Sequence, residues 1–258
     1  MKLRKVSILC LEGFPLIKKG DDLAKLIVET AEKNGVRVED GDVLVVAQKI
    51  VSKAEGRVIK LSDVVASDKA KKIAKITGKD SRFVELVLRE TKKIVKASHE
   101  TLIVKDVRDI VCINAGIDKS NVSGGDSYAL LPKDPDESAR RIRSQILKIT
   151  GKKVAVVICD TSSRPFRRGQ VEFAIGLAGL KSFRDYRGQE DLFRYRLKVK
   201  NVAVVDEIAC AAELIMGQGK ERIPVVIIKN LRRAEPSETS SIKELVISKE
   251  EDLFKGTL

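Results

Sequence analysis

Residues 134–169 read DPDESARRIRSQILKITGKKVAVVICDTSSRPFRRG, and two periodicities meet in this one stretch. Asp134 before Pro135 is a helix start, and Ala139, Ile142, Ile146 and Ile149 recur at helical spacing, so a helix is predicted over 134–149. Gly151 stops it. An apolar run follows over 153–159, of the kind buried on both faces of a sheet. A helix running at once into a buried strand argues for an α/β chain. The run then gives way to Asp160, three hydroxyls (Thr161, Ser162, Ser163) and the arginines Arg164, Arg167 and Arg168. Either this is an ordinary polar loop, or the strand delivers a metal-binding carboxylate and an anion clamp into a pocket.

The same alternation extends outward. A strand is expected over 3–11, then a turn at 12–15 and a helix over 21–33 capped by Asp21 or Asp22 and stopped by Asn34-Gly35. A buried strand follows at 43–47, then helices near 67–77 and 80–93 around Gly78, and one or two strands within 101–113. Residues 114–132 read as a long loop that includes Gly124-Gly125-Asp126. A helix over 206–216 carries Asp206 and Glu207 in its first turn, which suits the helix dipole, and a last buried strand spans 224–228. No repeat, low-complexity tract or linker divides the chain. The expectation is one α/β unit over 1–258 with mixed sheets, arranged as two intimately packed lobes.

Composition narrows the function classes. With 43% apolar and 34% charged residues, the chain is globular. No apolar run is long enough to span a membrane, and the N-terminus lacks the h-region and cleavage site of a signal peptide, so a cytoplasmic protein is expected. The net charge of +13 suits an anionic partner, or else the solvated surface of a protein from a hot habitat; Asn and Gln together number only 10, and Trp is absent. Cys10, Cys112, Cys159 and Cys210 are widely spaced, and His99 is the single histidine, so no Cys/His zinc site is expected. Any metal must be held by oxygens, which favours magnesium or manganese.

Neither a P-loop nor a dinucleotide-binding glycine pattern after a strand is present. What remains is a set of polar groups at element ends. Asp118 follows a strand, Asp160 and Thr161 end one, and Gln218 lies between two glycines after a helix. Arg164 and Arg167 offer a charge clamp for phosphate or carboxylate, and Lys49 and Lys53 offer another anion contact. No residue presents itself as a general base.

These residues sit in blocks that resemble, in order, those of the coenzyme F-420-0:L-glutamate ligase family: LEGFPLI (11–17), VSKAEG (51–56), CINAGIDKSN (112–121), CDTSSRPFRRGQVEFAIGLAG (159–179), DEIACAAELIMGQG (206–219) and IPVVIIK (223–229). The resemblance implies a family-specific fold that is neither Rossmann nor P-loop, a homodimer, and a GTP-dependent ligase. That ligase adds L-glutamate to coenzyme F-420-0 through γ-glutamyl links and releases GDP and phosphate. It implies two divalent cations, Mn2+ or Mg2+, with a monovalent cation as a further expected ion. By matching motif, Asp118 and Asp160 would hold one divalent cation, and Thr161 and Gln218 the second. Phe14, Pro15, Leu16, Ile17, Gln48, Lys49, Lys53 and Asn121 would contact the nucleotide. So would Met216, Gly217, Gln218, Gly219, Lys220, Glu221, Arg222 and Ile223. The neutral amide of Gln218 is a weaker metal ligand than a carboxylate would be.

An amine does not displace hydroxide from a carboxylate at neutral pH. Phosphoryl transfer to the carboxylate, giving an acyl phosphate that glutamate then attacks, is the economical route. Two rivals stand beside this reading. One is a ligase of the same fold acting on another carboxylate; the other is a basic RNA-binding protein, which the 4% aromatic content and the lack of RNA-binding motifs disfavour. No nucleic-acid partner and no membrane are expected.

Overall fold

A computed structural model of the chain describes residues 5–122, 125–231, 234–248 and 250–252. In chain order the elements are β1 (Ser7–Cys10), α1 (Leu23–Lys33), β2 (Val43–Ala47), α2 (Gln48–Ala54), β3 (Val58–Lys60), α3 (Asp68–Thr77), α4 (Ser81–Arg89) and β4 (Thr91–Ser98). There follow β5 (Thr101–Asp106), β6 (Val111–Ile113), β7 (Ser127–Ala129), α5 (Pro135–Thr150), β8 (Ala155–Arg164) and β9 (Arg167–Ala178). The described chain closes with β10 (Arg184–Asp185), β11 (Asn201–Val202), α6 (Val204–Met216) and β12 (Val225–Lys229). The fold is α/β with mixed sheets, as the alternation predicts. None of the described helices is long and apolar enough to cross a membrane.

The central sheet has the order β1-β12-β2-β8-β9. Only β2 and β8 run parallel; the other neighbours are antiparallel. Its middle strands β2 and β12 and the first half of β8 are apolar because both faces are covered there. Leu44, Val46, Val156, Ile158, Val225 and Ile227 face α1 and α5, whereas Val43, Val45, Val157, Val226 and Ile228 face α6. A third core, built from residues 61–130, joins α3 and α4 to the β4-β5-β6 sheet.

Caps explain the element ends. Asp22 accepts from Lys25 N at the start of α1, and Asp134 accepts from Glu137 N at the start of α5. Gly151 ends α5 in the left-handed region. Gly176 is required by packing: a Cβ there would lie 2.5 Å from the backbone of Pro135, at the start of α5.

Three sequence expectations are corrected. The helix expected over 80–93 ends at Arg89, and Thr91–Ser98 is a strand paired with β5, which places Ile94 and Ala97 against the third core. The expected strand over 3–11 is Ser7–Cys10, with residues 3 and 4 outside the described residues, as is Gly124 of the expected loop. The strand expected to stop at 159 continues through Arg164, turns at Pro165-Phe166 and returns as β9. The polar stretch is therefore a β-hairpin rather than a loop. Its residues are polar because the hairpin projects past the packed part of the sheet, where β8 becomes half-buried and β9 exposed.

Candidate active site

The parallel pair β2–β8 delivers its carboxyl ends to one place, where α/β folds commonly bind ligands. β2 passes directly into α2, so Gln48, Lys49 and Lys53 stand beside Cys159, Asp160 and Thr161 of β8. Between Ile158 and Cys159 the β8–β9 register slips: Ile158 pairs with Gly176 but Cys159 with Ala174. This bulge re-aims the strand just before Asp160.

These groups line a cavity of about 520 Å³. Every residue that the resemblance assigns to nucleotide contact lies on its wall, from the loop Phe14, Pro15, Leu16 and Ile17 to the segment Met216–Ile223. Asp160, Thr161 and Gln218 line it too. Arg164 and Arg167 do not. They face each other at the hairpin turn, and the structure does not bring them to this wall.

Asp118 reaches the cavity edge through Lys49. Its strand-like segment is tied to Ala129 by a bridge, after a turn in which Asn114, Ala115 and Gly116 all have positive φ. Ala115 is fully buried, and a Cβ on Gly116 would lie 2.6 Å from Leu131, so residue 116 favours glycine and residue 115 a small side chain. Lys49 Nζ donates to Asp118 Oδ2 at 2.7 Å and to Ser120 Oγ at 2.9 Å. Lys53 Nζ donates to the carbonyl of Asn121 at 2.7 Å, and Asn121 Nδ2 donates to the carbonyl of Gly219 at 3.2 Å, closing the far wall.

The site is rich in buried carboxylate. Burial, with the charge of Glu172 next, pushes Asp160 up to about 7, and burial raises Glu172 as well. Burial would also raise Asp118, but the hydrogen bonds from Lys49 and Ser120 outweigh it and hold its carboxyl below the usual range. Burial, helped by the charge of Lys49, lowers Lys53. Gln48 is 2% exposed; its Oε1 accepts from Ser52, while its Nε2 has no partner among the described residues. A buried donor left without an acceptor on a cavity wall calls for a ligand.

The donor set suits a hard divalent cation, since carboxylate, hydroxyl and amide oxygens dominate and burial raises two of the carboxylates. Among the described residues, no three carboxylate, thiol or imidazole groups already converge on one point. Lys49 serves as the local cation.

Two residues here escaped the sequence reading. Glu172 on β9 pairs with Thr161 in the hairpin register, and Glu213 on α6 faces Gln218. The signal for Glu172 was a lone glutamate in the otherwise apolar run over 171–178.

The chain is similar to known proteins over nearly its whole length. Residues 13–230 match the family model described as F420-0:Gamma-glutamyl ligase. A coenzyme F420:L-glutamate ligase of Archaeoglobus fulgidus is 46% identical over 254 residues, covering 98% of this chain and 98% of the relative. That of Methanothermobacter thermautotrophicus is 42% identical, covering 97% and 99%, and that of Methanocaldococcus jannaschii is 41% identical, covering 98% of each.

Proposed function

Because this chain belongs to the F420-0:gamma-glutamyl ligase family, we propose that it joins L-glutamate to coenzyme F-420-0 at the expense of GTP. In this reaction the γ-phosphoryl group passes from GTP to the substrate carboxylate, giving an acyl phosphate and GDP. The amine of glutamate attacks the acyl carbon, phosphate leaves with the bonding electron pair, and the amine loses a proton. The protein's task is to position three anionic reactants and offset their charge.

One observation carries this reading: a single cavity is lined both by the cations Lys49, Lys53, Lys220 and Arg222 and by the oxygen donors Asp160, Glu172 and Gln218. The four cations fit a nucleotide polyphosphate, and the orphan Nε2 of Gln48 fits one of its acceptors. Asp118 and Asp160 would hold one divalent cation, and Thr161 and Gln218 a second. A bound cation there supplies neutralisation of the phosphate charge. The positive charge of the chain as a whole draws in the anionic substrates.

Two copies would associate as a homodimer, for which Leu192, Phe193 and Val199, 96%, 90% and 89% exposed, offer apolar surface. Light scattering on the purified chain reads that directly. Incubation with F-420-0, glutamate, manganese and either GTP or ATP, followed by mass spectrometry, tests the reaction. A product longer by glutamyl units with GTP supports it; equal efficiency with ATP would reject the nucleotide preference.

A further inference from the structure

Glu172 takes no part in the roles assigned above, yet it is 4% exposed and lies on the wall of the cavity. It stands directly across the β8–β9 hairpin from Thr161. Its Oε2 accepts from Thr161 Oγ1 at 2.9 Å and from Gln218 Nε2 at 3.5 Å. The same Nε2 donates to Glu213 Oε1 at 2.8 Å.

An ionised carboxylate only accepts hydrogen bonds, so it dictates the orientation of its neighbours. Thr161 has one hydroxyl hydrogen, and Glu172 takes it; the lone pairs of Oγ1 are left for other partners. The amide of Gln218 has its NH2 turned to two carboxylates, so Oε1 points away from them. The opposite amide flip would set a carbonyl oxygen against Glu172 and Glu213 and is disfavoured by charge. A threonine and a glutamine are by nature as ready to donate as to accept. Here both are turned into acceptors.

We infer that Glu172 is a positioning residue that orients Thr161 and Gln218 so that both present oxygen lone pairs to a cation in the cavity. This rests on the cation-assisted ligase reading of the same site. Outer partners of this kind typically account for about 10–100-fold in metal affinity.

The test is Mn2+ binding to the nucleotide-free protein, followed by the electron paramagnetic resonance signal of free Mn2+. Glu172→Gln preserves shape while removing the acceptor-only character, and a melting curve in EDTA shows whether it folds. The expected result is a loss of about 10-fold or more in the weaker Mn2+ affinity, with the stronger one little changed. Unchanged affinities in a folded variant would overturn the inference. In a Thr161→Val/Gln218→Ala background, Glu172→Gln should cost no more than about 2-fold further, because its targets are gone. A further 10-fold loss there would mean that Glu172 touches the cation itself, and would also overturn the positioning role. If the parent binds Mn2+ and Glu172→Gln weakens it while no ligation is detected, the positioning stands and the ligase reading fails. If ligation proceeds with unaltered Mn2+ binding in the variant, the reverse holds.

Discussion

Lys49 and Asp118 form a half-buried ion pair at 2.7 Å, so the chain places its own ammonium on a carboxylate that the family resemblance gives to a divalent cation. The same ammonium lowers the proton affinity of Asp160 and Glu172. Lys49 is thus the internal counter-ion of the whole carboxylate group.

Lys49→Met should therefore act in two directions. Without nucleotide, Mn2+ affinity should rise by about 10-fold, the worth of one charge-assisted hydrogen bond. The KM for GTP should rise as well, because the cavity wall loses one of its cations. Titration calorimetry and steady-state kinetics read the two effects, and unchanged Mn2+ affinity would show that Lys49 does not compete for Asp118.

Asp160 makes stability depend on pH. The unfolded chain releases this proton near 3.8 and the folded chain near 7, so the folded state binds more protons between those values. Stability from this group is present below about pH 4, falls as pH rises toward 7, and stays low above it. One pKa unit corresponds to about 1.4 kcal/mol, and water entering from the cavity screens part of that. Asp160→Asn should be about 2 kcal/mol more stable than the parent at pH 8 in EDTA, while losing ligation. Superimposed urea curves at pH 8 would refute the electrostatic account.

Gln218→Glu tests the amide's contacts. The substitution removes two hydrogen bonds to Glu172 and Glu213 and adds a third carboxylate beside them. A loss of about 1–2 kcal/mol is expected in EDTA, recovered by millimolar Mn2+. Equal melting temperatures in EDTA would mean that the amide orientation is not what the hydrogen bonds indicate.

Arg167 sits at the exposed hairpin turn, away from the cavity wall. If it clamps the anionic coenzyme substrate, Arg167→Ala should raise the KM for F-420-0 about 10-fold and leave the KM for GTP and the melting temperature unchanged. An equal rise in both KM values would place the arginine with the nucleotide instead.

What the sequence disclosed depended on periodicity. Helix α5 and the strands around Val45 and Val157 are legible because each buries a regular apolar face. The β8–β9 hairpin is not, since Thr161 to Gln170 projects past the core and carries no alternation to mark it as strand. Helix α4 ends at Arg89 rather than at 93 because Thr91–Ser98 pairs with β5, a partnership that no local spacing marks. In the site, Asp160 stood out as a carboxylate closing an apolar run. Glu172 became visible only through its cross-strand partner Thr161, a relationship set by a register that no local pattern encodes.

The central claim is that this cavity drives glutamyl ligation by phosphorylating a carboxylate. The most direct measurement uses F-420-0 labelled with oxygen-18 in the reacting carboxylate, together with glutamate, GTP and Mn2+. Mass spectrometry then reads both the coenzyme and the released inorganic phosphate. The account predicts a coenzyme extended by glutamate, with one labelled oxygen in the phosphate released by the first ligation. Extended coenzyme with unlabelled phosphate, or hydrolysis of GTP with no extended coenzyme, would contradict it.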